Sequence, residues 1–215
     1  MRFRPILITG PLAVALGIAS AYLIIQSQPS KPTSEIDTAE PRHPVTSTMQ
    51  EEADEVTRAK LPTYTRKDET GQVVTLGGLR AKPQFVVFIK EGCPCSFDSA
   101  PLFDRLYRHL GGKVDFVGVI DKDVEGAKKW AGAMLPPFPI LPDPKLEIIH
   151  HYKAPRSVYS VLLSPEGKVV KMWPGYSKRI LLEMNKTMSK AAGVEAKPFD
   201  PQYAPIRDSS GCDFE

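Results

Sequence analysis

Phe85, Val86, Val87, Phe88 and Ile89 form an unbroken apolar run, followed within a few residues by Cys93-Pro94-Cys95-Ser96. Five consecutive apolar residues read as a strand buried on both faces. Beyond the cysteines, Phe97, Leu102, Phe103, Leu106 and Leu110 recur at helical spacing over 96–110 until Gly111 and Gly112 stop them. The cysteines therefore lie where a buried strand hands over to a helix. There a thiol faces the positive end of the helix dipole and the free N–H groups of the first turn, so it ionises easily. The thiolate is the form that attacks a disulfide or a peroxide, which marks Cys93 as a nucleophile and not merely a packed side chain.

The alternation continues along the chain. Strands are expected at 73–76, 114–120, 158–163 and 169–173, the last two joined by the turn Ser164-Pro165-Glu166-Gly167. Helices are expected at 124–134, 146–152 and 179–192, the last ending at Gly193. Strand, helix, strand, helix, then a hairpin and a helix specify an α/β three-layer sandwich around a mixed central sheet. The 215 residues leave room for one such domain of about 130 to 150 residues with flanking segments. A net charge of +3 with no dominant single-sign patch argues against nucleic acid as a partner.

Two arginines among the first four residues precede an uncharged stretch at 5–25, about the length a helix needs to cross a bilayer's hydrocarbon core. The expected reading is a signal anchor, a single transmembrane helix at 1–25 with the domain on the extracytoplasmic side. Its alternative is a cleaved signal peptide, since Ala19-Ser20-Ala21 fits the small-x-small rule. Cleavage there would expose Tyr22-Leu23-Ile24-Ile25 at the new terminus, which favours the anchor. Residues 26–60, rich in Pro, Ser, Thr and Glu, read as a flexible linker that has room for a short helix within 49–59. The domain proper is expected at 61–193, and 194–215 as a C-terminal tail carrying Cys212.

Three cysteines are too few for a disulfide scaffold, and the odd number leaves at least one thiol free, catalytic or paired with another molecule. Residues two apart on a helix point about 200° apart, so Cys95 is expected to turn away from Cys93, whereas Ser96 shares its face. A Cys93–Cys95 bridge requires that the helix has not yet begun, and it would be strained and easily reduced. Cys95 is thus either a second redox thiol or a bystander. Ser96 can cap the helix or donate a hydrogen bond to the thiolate, but it cannot resolve a mixed disulfide. Cys212, on a flexible arm, can reach back as a resolving thiol, or it is an idle thiol at a chain end.

His150 and His151 raise a soft-metal alternative together with the cysteines. Adjacent histidines on a helix point about 100° apart and would not chelate together, so surface histidines, no metal and no cofactor are expected. Arg156 either supports the thiolate from a facing loop or is simply exposed. Trp173 and Tyr176 either pack the hairpin edge or line a substrate groove.

Across about 61–193 this layout resembles the thioredoxin-like superfamily. Within it the chain is similar to membrane-anchored thiol-disulfide oxidoreductases and to the redoxins of the alkyl hydroperoxide reductase and thiol-specific antioxidant (AhpC/TSA) group. The resemblance is carried by the hairpin at 61–68 and 71–76, by Cys93 with Ser96 and Pro101, by Phe138-Pro-Ile-Leu-Pro-Asp143, and by 162–168. The chain departs from the pattern at four places. Ser96 stands where the resolving cysteine is usual, and Val158 where a cis-proline is usual. Lys90 replaces a peroxiredoxin's threonine, and Arg156-Ser157 replaces a copper chaperone's late histidine. The resemblance implies an antioxidant-type thiol-disulfide oxidoreductase, exported and membrane-tethered. Cys93 would attack and Cys95 or Cys212 resolve, with protein thiols or disulfides as partners and an external thiol as reductant. Its alternatives are a thiol peroxidase acting on a hydroperoxide, and a non-catalytic binding or metal-delivery module.

Overall fold

The structure, a computed structural model, describes residues 41–57 and 61–214. In chain order the elements are α1 (Ser47–Val56), β1 (Tyr64–Lys67), β2 (Val73–Leu76), β3 (Gln84–Ile89), α2 (Pro94–Leu110), β4 (Asp115–Ile120), α3 (Val124–Met134), β5 (Ile140–Pro142), α4 (Glu147–His151), β6 (Ser160–Leu163), β7 (Val169–Trp173) and α5 (Lys178–Ala191). All six residues of β3 are buried. Phe85, Val87 and Ile89 enter one apolar cluster and Val86 and Phe88 another, as the two-residue period of a strand requires. A strand buried on both faces belongs at the centre of a sheet. The sheet order is β5-β4-β3-β6-β7, with β3 and β4 parallel, β4 and β5 parallel, and β6 antiparallel to both β3 and β7.

On one face, Leu102, Phe103 and Leu106 of α2, Trp130 of α3, and Leu181 and Met184 of α5 pack against Phe85, Val87 and Ile89. On the other, Ala53 and Val56 of α1, Ile148 and Ile149 of α4, and Tyr64 and Leu76 of the β1–β2 hairpin pack against Val86 and Phe88. The α/β sandwich with a mixed sheet is therefore the fold.

Several boundaries differ from expectation for identifiable reasons. α1 lies within the stretch expected as linker. It is capped by Thr46, whose hydroxyl accepts the Met49 amide at 3.2 Å, and it is tied to β7 by Lys171 Nζ on Asp54 at 3.2 Å. With Ala53 and Val56 buried, the packed body begins ahead of Leu61. Phe97, expected in the apolar stripe, is 37% exposed, because the face of α2 turned to the sheet runs through Cys95, Ser99, Leu102, Leu106 and Leu110. β6 starts at Ser160 and not at Val158, whose φ of 66° leaves the extended region.

The tail is not a free arm in this structure. Ser209 and Tyr176 exchange backbone hydrogen bonds of 2.8 and 2.9 Å, and a Cβ on Gly175 would stand 2.1 Å from the Ser209 carbonyl oxygen. The apolar stretch 5–25, expected as a transmembrane helix, lies outside the described residues. Among the described residues no helix is long and apolar enough to cross a membrane.

Candidate active site

Cys93 is the N-cap of α2, with extended backbone (φ −77°, ψ 119°), and Pro94 opens the helix. A proline suits that place, because its φ is already helical and the N–H it lacks would have no intrahelical partner. The turn between β3 and α2 closes through Gly92, whose φ of 76° suits a residue without Cβ. The Ser96 amide donates to the Cys93 carbonyl at 3.0 Å, which makes the first turn.

Cys93 is only 2% exposed, and its sulfur is met from the loop before β6 and from the tail. The Ser157 hydroxyl, itself fully buried, donates to Cys93 Sγ at 3.2 Å. The Cys212 amide donates to the same sulfur at 3.3 Å and to Ser157 Oγ at 3.1 Å. The Cys212 carbonyl in turn accepts the Ser157 amide at 2.9 Å, and Cys212 Sγ lies 3.6 Å from His43 Nε2.

This surrounding sets the three thiols apart. Burial opposes ionisation of Cys93, but hydrogen bonds from the Cys212 thiol, the Ser157 hydroxyl and the Cys212 and Ser96 amides outweigh it and bring the pKa down to about 7. Burial pushes Cys95 up to about 12, reinforced by the charge at Cys93 and Cys212 and by its hydrogen bond to Cys93. Burial also raises Cys212, to about 11, followed by its hydrogen bond to Cys93 and the Cys93 charge. Cys93 is thus the most acidic of the three thiols, about half ionised at neutral pH, while Cys95 and Cys212 stay protonated.

Of the residues singled out from sequence, Cys93, Cys95 and Cys212 come together. Cys95 was expected to point away from Cys93. It does not, because Cys93 lies just outside the helix and the helical angle between the two positions does not apply. Ser96 does not put its hydroxyl on the thiolate: Ser96 Oγ accepts the Lys90 amide at 3.2 Å, and only the Ser96 backbone acts on Cys93. Arg156 pairs with Asp213 and not with the sulfur, Nε to Oδ1 at 2.8 Å. His151 bonds the Tyr64 hydroxyl on the opposite face of the sheet, His150 is exposed, and among the described residues no group of three His, Cys, Asp or Glu side chains is placed to hold a metal ion. Trp173 and Tyr176 are buried at 1% and 5%, so they pack and do not line an open groove.

Ser157 and Gly211 are the site residues that sequence reasoning missed as such. A serine in a loop and a glycine in a tail carry no local signal, and their roles arise only where the two segments meet.

A cysteine at the N-cap of a helix leaving the central strand of this mixed sheet, with its pKa lowered to about 7, defines the class, a thioredoxin-like redoxin. The family profile of AhpC/TSA matches residues 57–172, more than half of the chain, and the chain belongs to that family. The fold is shared with an uncharacterized conserved protein from Geobacillus kaustophilus (TM-score 0.57, 20% identity, 72% of this chain and 89% of that one). It is shared also with the thioredoxin domain of a thiol-disulfide oxidoreductase from Bacteroides vulgatus (0.53, 21%, 60% and 96%). A peroxidoxin from Mycobacterium tuberculosis is similar in the same way (0.50, 18%, 63% and 92%). No curated protein matched.

Proposed function

We propose that the protein is a thiol-disulfide oxidoreductase in which Cys93 is the nucleophile and Cys212 the resolving thiol. The observation that carries this is the seating of Cys212 on Cys93 Sγ, where Cys93 is held near pKa 7. The Cys93 thiolate attacks one sulfur of a target disulfide, and the target's S–S bond breaks. A Cys93–target mixed disulfide forms, and the leaving target thiolate takes a proton from water. Cys212 then gives up its proton and attacks Cys93, closing a Cys93–Cys212 disulfide and releasing the second target thiolate. Two electrons have passed to the target, and an external thiol reductant returns them. Two of the causes that hold Cys212 protonated, its bond to Cys93 and the Cys93 charge, vanish in the mixed disulfide, so Cys212 becomes easier to ionise at the step that needs it.

In this reading the domain works outside the cytoplasmic membrane, tethered by the uncharged stretch 5–25. Mass spectrometry of the non-reduced, oxidised protein tests the pairing: a Cys93–Cys212 peptide two hydrogens lighter is expected, and Cys212→Ser should accumulate mixed disulfide. A Cys93–Cys95 bridge, or unchanged turnover in Cys212→Ser, overturns the assignment.

Near-complete burial of Cys93 favours one second reading, a thiol peroxidase, because a small hydroperoxide needs less room than a protein. The thiolate would take the terminal oxygen and release an alcohol, and Cys212 would condense with the sulfenic acid, releasing water. Hydroperoxide consumption that is lost in Cys93→Ser would support it.

A further inference from the structure

The tail meets the loop before β6 as one strand meets another. The Ser157 amide donates to the Cys212 carbonyl at 2.9 Å and the Phe214 amide to the Pro155 carbonyl at 3.0 Å, with Arg156 and Asp213 forming the antiparallel pair between them. The side chains of that pair also meet, Arg156 Nε to Asp213 Oδ1 at 2.8 Å and Nη2 to Oδ2 at 3.0 Å, the two-pronged geometry that suits a guanidinium and a carboxylate. Lys90 Nζ donates to the Asp213 carbonyl at 2.5 Å. On the other side of the cysteine, a Cβ on Gly211 would stand 2.0 Å from Ser157 Oγ and 2.5 Å from the Ser157 carbonyl oxygen. Three consecutive residues are therefore read: no side chain at 211, a free thiol at 212 hydrogen-bonded to Cys93, and a carboxylate at 213.

Cys93 is 2% exposed with the tail seated, and the Cys212 amide is one of the groups on its sulfur. The Cys93 sulfur otherwise belongs to the buried cluster under α2, so an external disulfide has to come through the space that 211–213 fill. There it meets the Ser157 amide, the Pro155 carbonyl and the Arg156 guanidinium that the tail has just left. Backbone groups stripped of their partners favour a replacement of the same form.

Resting on the reading of Cys93 as the exchange nucleophile, we propose that the edge at 155–157 with Arg156 is the docking site for an extended segment of a partner protein. That segment has the form small residue, cysteine, acidic residue, and the tail is the protein's own copy of it. Partner and tail alternate on one edge. The partner's segment displaces 211–214, its disulfide is attacked by Cys93, and its second sulfur leaves as thiolate. The tail then returns, Cys212 attacks Cys93, and the partner's cysteine departs with the electron pair of the broken bond.

The test uses the full-length Cys212→Ser protein and peptides Ser-Ser-Gly-Cys-Asp-Phe whose cysteine carries a thiopyridyl group. Attack by Cys93 on the peptide sulfur releases pyridine-2-thione, and rates are normalised to those with 2,2′-dithiodipyridine. The Asp peptide is expected to react about threefold to fivefold faster than its Lys counterpart, the range of a partly exposed ion pair. The Gly peptide should exceed its Ala counterpart by about fivefold or more, from overpacking. In Arg156→Glu the Asp-to-Lys preference should vanish or reverse, while the Gly and Ala comparison needs only the unaltered edge. Equal rates for all peptides, or exclusion of every peptide while dithiodipyridine reacts, overturn the docking site and leave the oxidoreductase reading standing. A Cys93 inert to dithiodipyridine as well overturns both.

Discussion

Cys93 is the most acidic of the three thiols because donors converge on its sulfur. Burial alone would raise its pKa, and the hydrogen bonds from Cys212, Ser157 and Ser96 reverse that sign. An acid whose pKa is lowered to about 7 is half ionised there, and below that its thiolate fraction falls tenfold per pH unit. Alkylation of Cys93 by iodoacetamide should therefore rise with a midpoint near 7, while Cys95 and Cys212, at about 12 and about 11, stay protonated across the same range. Removing the hydroxyl in Ser157→Ala deletes a hydrogen bond to a charged group, worth about 1.5 kcal/mol, and should move the midpoint up by about one unit. An unmoved midpoint, read by mass spectrometry of the labelled peptide, would show that Ser157 does not hold the thiolate.

The neighbouring Val158 is buried at 1% with φ 66°, a conformation that costs a β-branched residue about 1 to 2 kcal/mol. It is held there by its amide, which donates to the Phe88 carbonyl at 2.7 Å. Installing the proline common in the fold cannot restore anything here, since proline has neither a positive φ nor an N–H. Val158→Pro is expected to lose about 3 kcal/mol or more, seen as a lower urea midpoint. A midpoint equal to the parent's would show that the left-handed backbone is dispensable.

At the scale of elements, local pattern and packing divide the work. β2, α3 and β7 occupy the residues that periodicity marks, because each shows its buried face within a few residues of sequence. α1 and the tail do not. Their places depend on contacts such as Asp54 with Lys171, 117 residues apart, and Cys212 with Cys93, 119 apart, which no local window contains. The apolar residues of α1 are sparse, so it reads as a segment in a linker until β7 is set beneath it. Because Val56 of α1 is buried in the folded body, Val56→Ala should cost about 2 kcal/mol in urea unfolding by loss of buried apolar surface. A change within error would return 47–56 to the status of a tether.

For the molecule as a whole, the proposed tether predicts that the full-length chain stays with membranes after an alkaline carbonate wash and that the domain is open to protease added outside the cytoplasmic membrane. A soluble form beginning near Tyr22 would identify a cleaved signal peptide instead. The hydrophobic period by itself determined β2, β3, β4, β7 and the helices α2, α3 and α5 to within a residue or two, the burial of β3 on both faces and the strand-to-helix junction at Cys93, because burial of alternate or stacked faces is written locally in the chain, whereas β1 and the three-residue β5 are too short to show a period. The odd cysteine count brought Cys212 into view as a thiol on a long tail. Only the folded structure decided what surrounds the Cys93 sulfur. The helix starts at Pro94, which leaves Cys93 as a cap and lets Cys95 approach it, and this turns on one residue of helix boundary. The tail lies along 155–157 because backbone donors and acceptors from distant parts of the chain satisfy one another there, and the close approach at Gly211 is possible only without a Cβ. Pairing between remote main-chain groups leaves no trace in residue type, so the sequence left Cys95 and Cys212 as alternatives beside Cys93, and only the tertiary fold shows how the Cys212 backbone is seated on its sulfur.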